Sequence, residues 1–340
     1  MATDVIIIGA GPIGLETTAL LQEGGLDVQC VDAGPIGGTI YSLFPPDTRF
    51  FSSPERISIA GMDLQLPEQE KASREDYLSY LRSVVNSKQL NVRTFETVID
   101  AEYEAGQWSV TTRSRSGDST IRRAPHVVLA IGGTHDVRRL GVQGENLPHV
   151  DHHLGDPHRF FGRRVVIVGG KNSAAEAALR CWRVNADVTI VHRDDALHER
   201  VKYWIRPEVE ALIKEGRIKA CFNSTIEDIQ TDGVTAATPE GPRHIPCDDV
   251  LLMIGYVQDP ILFNLFGVDL EGPQSSPVHD PVTMRTNREG IFVAGTAVAG
   301  TQQRFKTYIE NAHVHAGRIS AAILGTPPPE ETPPRSLPEA

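Results

Sequence analysis

The chain writes one strand, turn and helix unit twice, at an offset of 160 residues. Val5-Ile6-Ile7-Ile8-Gly9-Ala10-Gly11-Pro12-Ile13-Gly14 aligns without a gap with Val165-Val166-Ile167-Val168-Gly169-Gly170-Lys171-Asn172-Ser173-Ala174. Each copy leads on to a second apolar strand that ends 23 residues after the first glycine, at Asp32 in one and His192 in the other. A strand that feeds a glycine turn and a helix lets a pyrophosphate meet unpaired backbone N–H groups and the positive end of the helix dipole. Two such units in 340 residues predict an α/β chain of two Rossmann-like dinucleotide-binding domains.

The two copies end differently, and the difference is chemical. A carboxylate at Asp32 accepts hydrogen bonds from a ribose hydroxyl pair, whereas His192 with Arg193 favours a ribose bearing a 2′-phosphate. The first copy has the full glycine pattern: Gly9 for the tight turn, Gly11 for close approach of the pyrophosphate, Gly14 for helix packing. Gly37-Gly38-Thr39 and Gly132-Gly133 are placed to line the same crevice, which favours FAD there. Gly38, Thr39, Val98, Gly132, Gly295 and Thr296 join Gly9, Gly11, Pro12, Ile13, Gly14 and Asp32 as candidate FAD-binding residues. In the second copy Lys171 stands where the middle glycine would be, so its Cβ crowds a close pyrophosphate and its ammonium can reach the phosphates instead. Gly169, Gly170, Lys171, Asn172, Ser173, Ala174, His192 and Arg193 are the candidate NADPH-binding residues, with Arg200 and Lys202 extending the basic cluster.

Composition narrows the rest. A net charge of −11 disfavours nucleic acid as a partner, and no apolar run approaches the ~18 residues of a membrane helix. Asp4 and a strand stand where a signal peptide would be basic, so the expected location is the cytoplasm. Cys30, Cys181, Cys221 and Cys247 form no C-x-x-C pair, so redox chemistry must rest on a cofactor. Glu310, His313 and His315 lie on one predicted helix, but histidines two apart face different ways, and no metal site is expected.

Along the chain, residues 4–9, 27–32 and 127–131 read as buried strands, 12–24 and 74–88 as helices, and 92–122 as hairpin-linked strands. The second half repeats this order from 164 to 254. A last strand at 290–296 and a helix over roughly 305–324 have no counterpart in the second unit, so they are expected to return to the first domain. The predicted division is a discontinuous FAD domain, 1–135 with 278–325, an NADPH domain at 136–277 inserted in it, and a disordered tail at 326–340 holding six prolines. The N-terminal part of the last helix, near Thr301 to Lys306, is expected to stabilise negative charge on a reduced flavin.

Longer segments carry a family likeness. Gly38-Thr39-Ile40-Tyr41, Phe50-Phe51-Ser52-Ser53-Pro54-Glu55, Gly169-Gly170-Lys171-Asn172-Ser173-Ala174, Val201-Lys202-Tyr203-Trp204-Ile205-Arg206-Pro207 and Ile309-Glu310-Asn311 resemble the YpdA-type bacillithiol-disulfide reductases. These belong to the thioredoxin-reductase-like flavoproteins with two dinucleotide sites. The resemblance covers about residues 4–324 and implies an NADPH-dependent FAD enzyme, homodimeric or homotetrameric, that reduces a low-molecular-weight disulfide. The chain departs from the family at Ile13, where characterised members have a Cys proposed to act on the disulfide. It also departs at Thr296, where related flavoproteins usually carry an Asp toward the ribityl chain. No catalytic side chain is therefore assigned; hydride passes from NADPH to flavin N5 by alignment of the rings. Three fates for the electrons stay open at this point: a small disulfide; a redox protein such as ferredoxin or flavodoxin, or a quinone, taking electrons straight from flavin; or no turnover, in a nucleotide-binding redox sensor.

Overall fold

The computed structural model describes residues 3–67, 70–302 and 306–329. The chain opens with β1 (Val5–Ile8), α1 (Pro12–Glu23) and β2 (Val28–Asp32), followed by α2 (Gly38–Leu43), α3 (Pro54–Ile57) and α4 (Arg74–Ser87). Then come β3 (Val92–Thr94), the meander β4 (Glu96–Glu104), β5 (Gln107–Ser114) and β6 (Ser119–Ala124), and β7 (His126–Leu129). After β8 (Asp136–Val137) the second unit runs through β9 (Val150–Asp151), β10 (Arg164–Val168), α5 (Asn172–Arg183), β11 (Asp187–Val191), α6 (Arg206–Lys214) and β12 (Lys219–Cys221). A second meander, β13 (Thr225–Gln230), β14 (Gly233–Thr238) and β15 (Gly241–Pro246), precedes β16 (Asp249–Leu252). From β17 (Tyr256–Val257) the chain continues into α7 (Ile261–Leu265), the short strands β18 (Leu270–Glu271) and β19 (Ser276–Pro277), β20 (Ile291–Val293) and α8 (Ile309–Leu324).

Two compact units result: residues 1–136 with 257–340, and the inserted 137–256. The first is built on a parallel sheet of order β20-β7-β1-β2-β3, the second on a parallel sheet of order β12-β11-β10-β16-β9. A parallel sheet needs cover on both faces, and the residues of β1 show it. Val5 and Ile7 pack among Leu15, Leu81 and Ile319 of the helices, while Ile6 and Ile8 pack on the other face among Trp108, Val110, Phe263 and Phe266. In the second unit, Val166, Val168 and Val191 pack against Ile226, Val234 and Ile245 of its meander.

That second face explains where the chain changes unit. The sequence predicts residues 257–277 to lie in the inserted domain, but they belong to the first unit, because Phe263, Phe266 and Val268 complete the core over β1 and β7. The helix expected from 305 begins at Ile309, residues 303–305 lie outside the described part, and so does most of the proline-rich tail, residues 330–340. The glycine- and proline-rich stretch after Gly37 holds two short helices, α2 and α3, that too few residues specify for periodicity to reveal. No helix among the described residues is long and apolar enough to cross a membrane.

Candidate dinucleotide-binding sites

In the first unit, local sterics dictate the glycine turn. Gly9 has φ +113°, and a Cβ on it would stand 2.3 Å from the Ala130 carbonyl oxygen. A Cβ on Gly14 would stand 1.9 Å from the Gly9 oxygen, so α1 can lie on β1 only with glycine there. Gly11 is different: a Cβ there meets nothing within 4 Å, so the chain itself does not require glycine. The open side is what an approaching pyrophosphate would use. Pro12 stands in the first turn of α1, and no side chain caps that helix, which leaves its first N–H groups to a ligand.

Asp32 ends β2 with both carboxylate oxygens engaged, Oδ2 accepting from the Ala10 N–H at 2.6 Å and Oδ1 from Gly34 at 2.7 Å. Burial raises its pKa, and the two backbone hydrogen bonds oppose that rise. Each oxygen keeps a further lone pair, so the carboxylate can hold the turn and a ribose diol together. Gly37, in the left-handed region, donates its N–H to the Ala10 oxygen at 2.9 Å and fixes Gly38-Thr39 beside the turn. A Cβ on Gly132 would lie 3.9 Å from Thr39 Oγ1 and 4.0 Å from Thr296 Oγ1. A Cβ on Gly133 would lie 3.0 Å from the Thr296 oxygen, so the turns after β7 and β20 meet closely. Val98 lies half-buried on β4, beside a bulge and just after β3, whose Thr94 is the register partner of Asp32.

Ile13 is 5 % exposed, and its Cβ lies 3.3 Å from where a Cβ on Gly295 would stand. It fills the junction between α1 and the turn after β20 with hydrocarbon. The one cysteine of this unit, Cys30, is fully buried in β2 with its Sγ 3.6 Å from the Gly9 oxygen, and burial pushes its thiol far above the ordinary range. It offers no thiolate nucleophile.

The helix after Thr296 carries two histidines of opposite character. His313 places Nδ1 2.7 Å from Glu16 Oε2 and Nε2 2.9 Å from the Arg56 oxygen. Both partners accept, so the ring donates twice, as an imidazolium; burial opposes that charge, but the Glu16 hydrogen bond and charge outweigh it and raise the pKa. His315 accepts the Gly295 N–H on Nδ1 at 3.2 Å, and burial pushes it down to about 4, so it is neutral. By sequence these histidines suggest only a poor metal pair; among the described residues no group of His, Cys, Asp or Glu could hold a metal. Glu310 instead accepts from Ser52 Oγ.

In the second unit, Gly169 repeats the tight turn at φ +139°, with a Cβ reaching 2.5 Å from the Met253 oxygen and 3.1 Å from Ala174 Cβ. Gly170 is glycine for another reason, since a Cβ there would lie 2.2 to 2.5 Å from the His192 ring. His192 is 9 % exposed, and burial lowers its pKa against the opposing pull of Asp194, whose Oδ2 lies 3.1 Å from Nε2. It therefore acts as a neutral ring packed on the turn, and the charge expected of the pair falls to Arg193, whose side chain is 76 % exposed. Asn172 is also employed within the chain: Oδ1 accepts the Lys202 N–H at 2.9 Å and Nδ2 donates to the Arg200 oxygen at 3.4 Å. With His198 N–H donating to the Gly170 oxygen at 2.8 Å, the basic segment 198–202 is tied beside the turn. Lys171 and Ser173 are exposed at the start of α5, and Ala174 is buried under it. Cys181 and Cys247 are pushed up to about 12 by burial, and Cys221 is half-buried.

Comparison with known proteins agrees with this architecture. Residues 6–295 match the family described as pyridine nucleotide-disulphide oxidoreductase. The chain is 34% identical over 319 residues to bacilliredoxin reductase Bdr of Bacillus subtilis, covering 94% of this chain and 96% of that protein. It is 28% identical over 302 residues to a ferredoxin--NADP reductase of Ignicoccus hospitalis, covering 86% of this chain and 89% of that one. Among solved structures, bacillithiol disulfide reductase Bdr (YpdA) from Bacillus cereus superposes with a TM-score of 0.91 at 33% identity, over 96% of this chain and 99% of that one. The chain belongs to the pyridine nucleotide-disulphide oxidoreductase family, an oxidoreductase of its YpdA (Bdr) branch.

Proposed function

We propose that the first unit binds FAD, the second binds NADPH, and the protein passes electrons from NADPH through the flavin to a low-molecular-weight disulfide. The observation that carries the FAD assignment is the meeting of Gly132, Gly133, Thr39 and Thr296 beside the Gly9-to-Gly14 turn and Asp32. Those residues fit the group: an uncapped helix start for the pyrophosphate, an open flank at Gly11 and a carboxylate with spare lone pairs for the ribose. When bound, the flavin supplies the redox chemistry, accepting a hydride from NADPH and releasing two electrons to the acceptor.

The chain's own residues orient and seal rather than exchange protons. The start of α1 and Asp32 hold one dinucleotide, and Arg193, with the tethered segment 198–202, offers cationic partners to a 2′-phosphate. Ile13 keeps water and thiols from the junction it fills. The disulfide assignment rests on the Bdr relatives, and the missing thiol means the acceptor must be reduced without a Cys at that position.

Ile13 favours a second reading, direct transfer to ferredoxin, flavodoxin or a quinone, and the ferredoxin--NADP reductase relative is consistent with it. Steady-state NADPH oxidation with oxidised bacillithiol, ferredoxin and a quinone, each measured against the oxygen background, separates the two. The first reading expects the disulfide to give the highest rate; no disulfide rate above background, with turnover of ferredoxin or quinone, replaces it by the second.

A further inference from the structure

We infer that Gln258 is a positioning residue that locks the two FAD-facing turns of the first unit to the point where the chain re-enters that unit. The inference rests on the assignment of FAD to this unit. Gln258 follows the first re-entering residue, Val257, and is 8 % exposed. Its Nε2 donates one hydrogen to the Gly132 oxygen at 2.8 Å and the other to the Ala297 oxygen at 3.1 Å. Its backbone N–H donates to Thr301 Oγ1 at 2.9 Å. Gly132 is the turn after β7, and Ala297 lies in the one-turn 3-10 helix Gly295–Ala299 after β20. β7 and β20 are neighbouring strands, so one side-chain amide bridges the turns that follow both.

The re-entering segment is itself stapled to the departing one. The His135 N–H donates to the Val257 oxygen at 3.1 Å, and His135 Nδ1 accepts from the Asp259 N–H at 3.2 Å. With Nδ1 accepting, the ring proton sits on Nε2, which donates to the Ile131 oxygen at 2.8 Å. The hydrogen bonds therefore run without a gap from the chain crossing at 257 to the carbonyls of Gly132 and Ala297. A shift of the crossing segment acts on the FAD-facing turns, because breaking the bridge takes this donor from the part-buried Gly132 oxygen and leaves the buried Ala297 oxygen only the 3.4 Å bond from the Gly300 N–H.

The test is Gln258→Met, which keeps length and volume and removes both donors. FAD affinity of the apoprotein, read by flavin fluorescence quenching, is expected to fall about tenfold, because binding must then order turns that the bridge no longer holds. The reduction potential of the bound flavin is expected to shift, and NADPH affinity to stay at the wild-type value. Should Gln258→Met not fold, Thr301→Val removes only the backbone tether and is expected to shift FAD affinity in the same direction by less. Wild-type FAD affinity and potential in the variant that folds would overturn the inference, as would a lowered melting temperature with both unchanged. Wild-type apoprotein that binds no FAD would instead overturn the functional assignment on which the inference rests.

Discussion

At the scale of single residues, Ile13 and Arg193 bear most directly on the proposed path of electrons. Ile13 is buried against Gly295, and Cys30, Cys181 and Cys247 are thiols that burial holds protonated. Turnover that begins at the flavin should therefore survive treatment with iodoacetamide. Loss of most of the NADPH-driven activity after alkylation, in step with labelling of one cysteine, would put a thiol back in the mechanism. Arg193 stands exposed beside a neutral His192, so the preference for a 2′-phosphate should follow the arginine. Arg193→Ala is expected to raise the NADPH KM about tenfold or more, the worth of a charged hydrogen bond, and to leave the NADH KM nearly unchanged. His192→Gln should do far less; an equal loss in both variants would mean that the imidazole is charged in the complex.

Helix α8 shows how one element can carry opposing pH dependences. His315, held neutral, has its pKa depressed from 6.5 to about 4 by burial. Above pH 6.5 neither the folded nor the unfolded chain protonates it, and between 6.5 and 4 only the unfolded chain does, so stability is lost as pH falls through that window. The loss amounts to on the order of 3 kcal/mol from this residue. His313 is raised, so its contribution is complete below its unfolded pKa and is lost as pH rises through the folded value. Urea denaturation of the FAD-loaded protein at several pH values checks both. His315→Gln should flatten the acid side and His313→Gln the alkaline side, and an unchanged acid slope in His315→Gln would contradict the assignment. None of this was legible in the sequence, where the two histidines were only a poor metal pair. Their partners, the Gly295 N–H, Glu16 and the Arg56 oxygen, come from elements that fold onto α8 from far along the chain. The glycine turns were legible, because Gly9, Gly14 and Gly169 answer to contacts that every strand, turn and helix unit must make. Gly170 was not, because its requirement comes from the His192 ring.

For the whole molecule, the offset of 160 residues foretold two parallel sheets, each fed by its own glycine turn. The place of re-entry was harder to read, since Phe263 and Phe266 sit among loop signals and reveal their allegiance only by packing over β1. On the proposed assignment the two units serve one event, the transfer of a hydride from NADPH to the flavin. Anaerobic stopped-flow mixing of the FAD-loaded protein with NADPH measures that event directly. Flavin absorbance is expected to bleach at a rate that saturates with NADPH and is much lower with NADH at equal concentration. Flavin that stays oxidised at saturating NADPH would contradict it.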